Sequence, residues 1–202
     1  MSVLLSFERL SICIDGNALL QSATGQILAG ERIVLTGKSG SGKSLLLQAL
    51  AQLIPYTGTL HLNNTPAHHF SMAQWRHQVS LIGQVPQFVA GTVLDNLTLP
   101  FGFEYHHKRG IAFDIAWHKE HLHTLGKDGD FLYKDISVLS GGERQLVNFL
   151  RTLQLNPTVV LLDEPTAALD TESTKALIQL FFDYQATQNQ SQCPCACIWI
   201  SH

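Results

Sequence analysis

The residues with the clearest chemical use lie in the run Gly37-Lys38-Ser39-Gly40-Ser41-Gly42-Lys43-Ser44. A polyphosphate carries dense negative charge, so its cradle needs convergent backbone N–H groups, glycines that let the backbone come close, and a helix N-terminus behind them. This run offers all three. Lys43 would reach the β- and γ-phosphates of a nucleoside triphosphate, and Ser44 would place its hydroxyl on Mg2+. A second centre is Val159-Val160-Leu161-Leu162-Asp163-Glu164, an apolar strand ending in two carboxylates. Asp163 is expected beside the cradle, holding Mg2+ through water, and Glu164 is expected to polarise an attacking water. For Glu164 the alternative is a capping or salt-bridging acid at a strand end.

A third centre is Leu139-Ser140-Gly141-Gly142-Glu143-Arg144-Gln145. Ser140 and Glu143 have the spacing of a capping box, which starts a helix whose first N–H groups face an anion. Leu146, Phe149, Leu150 and Leu153 continue it with helical apolar spacing. Capping does not account for Gly141 and Gly142, since a glycine weakens a helix by about 1 kcal/mol. Two of them in its first turn predict that something approaches that backbone.

These centres need rigid elements behind them. Leu4–Leu20, with the turn signal Asp15-Gly16-Asn17, reads as a hairpin in a small β layer. Strands are predicted at Arg32–Thr36, Gly58–Leu62, Val79–Ile82, Val159–Leu162 and Ala196–Ile200, and helices from the glycine-rich loop up to Pro55, after Ser140, and over Thr171–Tyr184. Ala186–Gln192 reads as a polar connector, and Val85–Leu139 as an irregular, mostly helical insertion that includes Ile111–Leu125. Strands that alternate with helices and are buried on both faces make a parallel α/β sheet. The expected fold is therefore an α/β P-loop NTPase with a parallel core sheet, an N-terminal antiparallel β layer and an inserted helical subdomain. One domain is expected over 1–202, with 1–84 and 151–202 as nucleotide-binding core and 85–150 as helical subdomain.

Bulk properties set the outer limits. At 202 residues, 45% hydrophobic and 14% charged, the chain can bury a core. A formal net charge of -3 gives no general reason to expect nucleic acid. No apolar run approaches the roughly 20 residues that cross a bilayer, and the start shows no signal peptide, so a cytoplasmic location is expected. Of four cysteines, Cys193, Cys195 and Cys197 alternate; they read as small buried residues entering the last strand, with a soft-metal site as the alternative. Five of the ten histidines, His106, His107, His118, His121 and His123, read as a solvated helical face or partner contact, with metal sensing as the alternative.

With its three centres in this order and spacing, the chain resembles the nucleotide-binding domain of ABC transporters: Walker A at 37–44, signature at 139–145, Walker B at 159–164. The resemblance implies Mg-ATP binding and hydrolysis in a head-to-tail homodimer, where Ser140, Gly141 and Gly142 of one copy meet the γ-phosphate held by the other. Gln84 matches the Q-loop glutamine that contacts Mg2+, with Gln87 as the alternative. Ala168-Leu169-Asp170 matches the D-loop, and His202 the switch histidine that contacts γ-phosphate. The implied partner is a multi-span permease on a separate chain, which places the subunit on the cytoplasmic face of the membrane. Gly91-Thr92-Val93-Leu94-Asp95-Asn96-Leu97-Thr98-Leu99-Pro100 resembles the FetA (YbbL)-like bacterial cassettes linked to metal export.

The chain also departs from the family pattern. Leu45 stands where a threonine usually follows the P-loop serine, which removes one hydroxyl from the α-phosphate, worth about 0.5–1.5 kcal/mol. Family members continue past the position of His202, so a cut chain or an unusual sheet edge is expected. The aromatic that usually stacks on adenine should fall within Ile12-Cys13-Ile14, yet no aromatic occurs between Phe7 and Tyr56. The base is therefore expected to rest on aliphatic or sulfur-bearing surface. The alternative functions are a soluble ABC ATPase of DNA repair or translation, whose long coiled coil or paired cassettes are missing, and a P-loop kinase or GTPase, for which no guanine-reading Asn-Lys-x-Asp motif is present.

Overall fold

The computed structural model describes residues 2–191 and 193–201 and divides into two compact units, Met1–Gly83 with Pro157–Glu164 and Gln185–His202, and Gln84–Asn156 with Pro165–Tyr184. The first holds two sheets. In one, β1 (Val3–Ile14) and β2 (Asn17–Leu28) form the expected hairpin, joined by Asp15 and Gly16, both at positive φ (50° and 78°). A two-residue turn of this handedness matches the twist of the strands, and Asp-Gly adopts it readily. β2 runs past Leu20 because it is a largely exposed outer strand whose apolar alternation is too sparse to read. β4 (Thr57–Leu62) and β5 (Thr65–Pro66) complete the order β2-β1-β4-β5. β1 bulges at Arg9 (φ 48°), and a Cβ on Gly58 of β4 would lie 2.5 Å from the Arg9 carbonyl oxygen, so glycine alone fits there.

The other sheet is parallel, in the order β3-β8-β7-β6, from β3 (Arg32–Leu35), β8 (Ala196–Ile200), β7 (Val159–Asp163) and β6 (Val79–Ile82). All five residues of β7 are buried, as its unbroken apolar run requires. Helix α1 (Lys43–Leu50) follows β3 and stops short of Pro55, because Gln52 turns to φ 54°. Helix α2 (Met72–Gln78) secures that end: the buried indole N–H of Trp75 donates to the Leu50 carbonyl oxygen at 2.8 Å.

The second unit is helical: α3 (Val93–Thr98), α4 (Glu104–Lys108), α5 (Ile115–Thr124) and α6 (Gly141–Leu153), with 3-10 turns between them. Side chains start three of the helices. Thr92 and Asp95 form a capping box on α3, Asp114 accepts from Ala116 and Trp117 N–H on α5, and Ser140 with Glu143 makes the expected box on α6. Leu146, Phe149, Leu150 and Leu153 of α6 are all buried.

Helix α7 (Thr171–Gln190) overturns the polar connector expected over Ala186–Gln192, since the helix continues to Gln190. The stretch has no glycine or proline to stop it, and Asn189 within it and Gln185 just before it bond to Arg32 of β3 and to Cys195 just ahead of β8. Gln185, fully buried, accepts from the Arg32 guanidinium and donates to the Cys195 carbonyl oxygen at 2.8 Å; Asn189 Oδ1 accepts the Cys195 N–H at 3.2 Å. Among the described residues no helix is long and apolar enough to cross a membrane.

Candidate functional site

In the first unit β3 delivers the chain into the glycine-rich loop at Gly37, and α1 leads it away from Lys43. Gly37, Gly40 and Gly42 all lie at positive φ (155°, 76° and 88°), so the loop folds through conformations that side chains resist. A Cβ on Gly42 would sit 3.2 Å from the Leu19 carbonyl oxygen, which shows how closely the end of the β1–β2 hairpin approaches the loop. No side chain caps α1 and its first turn carries no acid of its own, so the helix itself supplies no anion to its N-terminal dipole. The Lys43 ammonium donates to the carbonyl oxygens of Gly37 and Lys38 at 2.8 and 3.0 Å, folding back over the cradle. The exposed Lys38, Ser39 and Ser41 line the loop's outer face. Leu45 turns its side chain onto the hydrophobic core of the unit.

At the end of β7, Asp163 is buried and its Oδ1 accepts the Ser44 hydroxyl at 3.0 Å. Two residues 119 positions apart thus meet at one point, a hydroxyl and a carboxylate that form the hard oxygen pair a Mg2+ ion prefers. Glu164 follows at φ 49°, a conformation costly for a residue with a Cβ, and the turn sends its side chain out of the strand's alternation. Of the residues expected under the base, Ile12 is fully buried and belongs to the core, while Cys13 and Ile14 are exposed. Of the three, Cys13 and Ile14 can present the aliphatic or sulfur-bearing surface. His202 lies outside the described residues, and Gln84 is the first residue of the second unit.

In the second unit the start of α6 opens on a recess of about 330 Å³ lined by Lys127, Ser140, Gly141, Gly142, Glu143, Leu146, Ala168, Leu169, Asp170 and Ser173. The Glu143 N–H donates to Ser140 Oγ at 3.2 Å, and the Ser140 N–H donates to Glu143 Oε2 at 3.0 Å. The second glycine has an internal reason. A Cβ on Gly142 would lie 3.1 Å from both the Ala168 carbonyl oxygen and Leu169 Cδ2, so at this position the body that approaches the backbone is the chain's own 168–169 segment. At Gly141 the nearest atom would be Ala168 Cβ at 3.8 Å, an ordinary contact. Asp170 caps α7: its carboxylate accepts the Ser173 N–H at 2.8 Å and the Ser173 hydroxyl at 2.9 Å, which hold its pKa below the usual carboxylate value.

Two residues that sequence reasoning passed over hold this unit's loops. Lys127 donates to Glu143 Oε1 at 2.9 Å. Arg151, near the end of α6, stacks 4.7 Å from the Phe88 ring and donates to the Gln87 carbonyl oxygen at 2.8 Å, fixing the segment that follows Gln84. Neither pairing obeys a short-range spacing, so neither has a sequence signal.

The histidines and cysteines sort by burial. His106 and His118 are buried, against the expected solvated face, and among the described residues no three His, Cys, Asp or Glu side chains gather into a metal site. Burial pushes the Cys195 and Cys197 thiols up to about 12, so they stay protonated at neutral pH. Gln154 donates through Nε2 to the Leu97 carbonyl oxygen, leaving its Oε1 to accept, at 2.6 Å, the Nε2–H of His118. Among the described residues the His118 Nδ1 has no hydrogen-bond partner, and burial lowers the ring's pKa from 6.5 to about 4. The unfolded chain's imidazole therefore takes its proton first. The stabilisation is complete above pH 6.5 and is lost as the pH falls to about 4. The urea midpoint should fall across this window by more in the natural chain than in His118→Gln; equal slopes would remove His118 as the cause.

A family model described as ABC transporter matches residues 20–167. The probable iron export ATP-binding protein FetA of Escherichia coli (strain K12) is 33% identical over all of this chain and 85% of its own length. The glutathione/L-cysteine transport system ATP-binding/permease protein CydD of the same organism is 38% identical over 82% of this chain, which spans only 28% of that protein. A bacterial Atm1-family ABC exporter solved with ATP bound superposes with a TM-score of 0.79 over the whole chain and 34% of its own, at 21% identity, a likeness of fold. The chain belongs to the ABC transporter family, as one of its ATP-binding ATPases.

Proposed function

We propose that the chain is the energy-coupling subunit of an ABC transporter, closing as a homodimer around ATP and driving a permease carried on a separate chain. The observation that carries this reading is the junction of Ser44 with Asp163 at the mouth of an uncapped α1. Lys43 leaves the Gly37 and Lys38 carbonyl oxygens for the β- and γ-phosphates, and the loop N–H groups of Gly37–Ser44 and Leu45 hold the triphosphate. A Mg2+ ion held by Ser44 and Asp163 would supply Lewis-acid stabilisation of the phosphate oxygens. Glu164 orients a water in line with the γ-phosphorus and takes its proton as the bond to the leaving ADP oxygen breaks; His202 contacts the γ-phosphate.

In the dimer, Ser140, Gly141, Gly142 and Glu143 of one copy would face the γ-phosphate bound by the other, with Asp170 holding the neighbouring loop. The separate permease is supported by the ATP-binding relative FetA, 85% of which this chain spans, and metal export by that protein's name. ATP, and not ADP, should then close the dimer. Light scattering on a Glu164→Gln chain should show a doubled mass with ATP and none with ADP, and Ser140→Arg in that background should abolish it. Equal dimerisation of Ser140→Arg would overturn the sandwich.

A further inference from the structure

The recess at the start of α6 poses an electrostatic problem that rests on the reading just given, in which it receives a partner's γ-phosphate. A helix N-terminus favours an anion, yet the third residue of this helix is a glutamate that lines the same recess. The Lys127 hydrogen bond, followed by the Ser140 N–H, holds the Glu143 carboxyl below the usual range, so the group is charged at neutral pH. A fixed negative charge beside the docking point of another anion weakens that docking.

We infer that Lys127 is a positioning residue for ATP-driven closure, cancelling the charge of Glu143 so that the signature recess accepts phosphate. Both ends of the arrangement are fixed. Glu143 divides its two oxygens, Oε1 taking the Lys127 ammonium at 2.9 Å and Oε2 the Ser140 N–H at 3.0 Å. The Lys127 ammonium also lies 5.4 Å over the Phe131 ring, and Phe131 is buried, so the cation is held rather than swinging in solvent. The two side chains are 27% and 23% exposed, which leaves the pair less screened than one on an open surface. Capping the helix does not itself require Lys127, because the Ser140 N–H and Ser140 Oγ bonds are made by Glu143 alone.

The test is the ATP concentration for half-maximal dimerisation, read by light scattering in the Glu164→Gln background. Lys127→Met should raise it about tenfold at low salt and Lys127→Arg by about twofold at most. The Lys127→Met defect should shrink severalfold between about 50 and 500 mM NaCl, since an unbalanced charge is screened. Adding Glu143→Gln to Lys127→Met should bring the value back towards that of Glu143→Gln alone, because an amide has no charge to cancel. Thermal midpoints of all variants show that the chains remain folded. A Lys127→Met defect that ignores salt and is not relieved by Glu143→Gln would make the lysine a structural strut and overturn the inference, as would an unchanged ATP requirement. A parent chain that stays monomeric with ATP would overturn the sandwich reading itself, and this one with it.

Discussion

Replacing Glu164 by glutamine should leave ATP binding near its natural strength and slow turnover roughly ten- to a thousandfold. Asp163 and Glu164 are neighbours in sequence but are set apart by the backbone. Asp163 ends a fully buried strand and receives the Ser44 hydroxyl at 3.0 Å, so its carboxylate belongs to the floor of the cradle. Glu164 sits at φ 49°, where a residue with a Cβ is strained by about 1–3 kcal/mol. That turn points its side chain away from the direction a continued strand would impose. Glutamine keeps the shape and can still orient a water, but it cannot take the proton, so the loss should appear in the rate. Lys43→Ala should behave differently and lose nucleotide binding itself. The ammonium that folds over the loop at Gly37 and Lys38 is the cradle's own cation. Calorimetric binding and phosphate release, measured on both variants, separate the two roles. Near-normal turnover in Glu164→Gln would remove this carboxylate from the reaction.

The elements were legible wherever one local rule decided them. Asp15-Gly16 selects its turn, Ser140 and Glu143 cap α6, and the unbroken apolar run of β7 has no place except the middle of a sheet. What was illegible depends on partners distant in sequence. The polar residues at the end of α7 read as a connector until Asn189 is seen accepting the Cys195 N–H, with Gln185 just before them holding the Cys195 carbonyl oxygen and the Arg32 guanidinium. His118 looks like one of a surface group until Gln154 comes 36 residues along the chain to accept its N–H. Ile12 alternates with Ile14 as a candidate surface for the base, and only the packing of the β layer puts Ile12 inside and leaves Ile14 40% exposed. At the site the same division holds. The phosphate loop is contiguous and could be read directly, whereas Lys127 meets Glu143 across 16 positions and Arg151 meets Gln87 across 64.

The paired glycines of the signature give the second large effect, because one sequence feature has two causes. A Cβ on Gly142 would press within 3.1 Å of the Ala168 carbonyl oxygen and of Leu169 Cδ2, so Gly142→Ala must displace the segment leading to Asp170. Overpacking of this kind costs about 1–3 kcal/mol, offset in part by up to about 1 kcal/mol of helix propensity gained over glycine. The thermal midpoint should fall by about 2–6 °C. At Gly141 the added methyl would meet only Ala168 Cβ at 3.8 Å, so Gly141→Ala should hold or raise the midpoint. Both variants should nevertheless lose ATP turnover by at least about tenfold: Gly142→Ala because the recess is reshaped from within, and Gly141→Ala because its methyl stands where the partner's phosphate would approach the open backbone. The separation is sharpest in light scattering with ATP, where the Gly141→Ala chain should be as stable as the natural one and still fail to pair. If Gly141→Ala hydrolyses ATP at the natural rate, nothing approaches the start of α6 from outside, and the glycines serve only the chain's own D-loop.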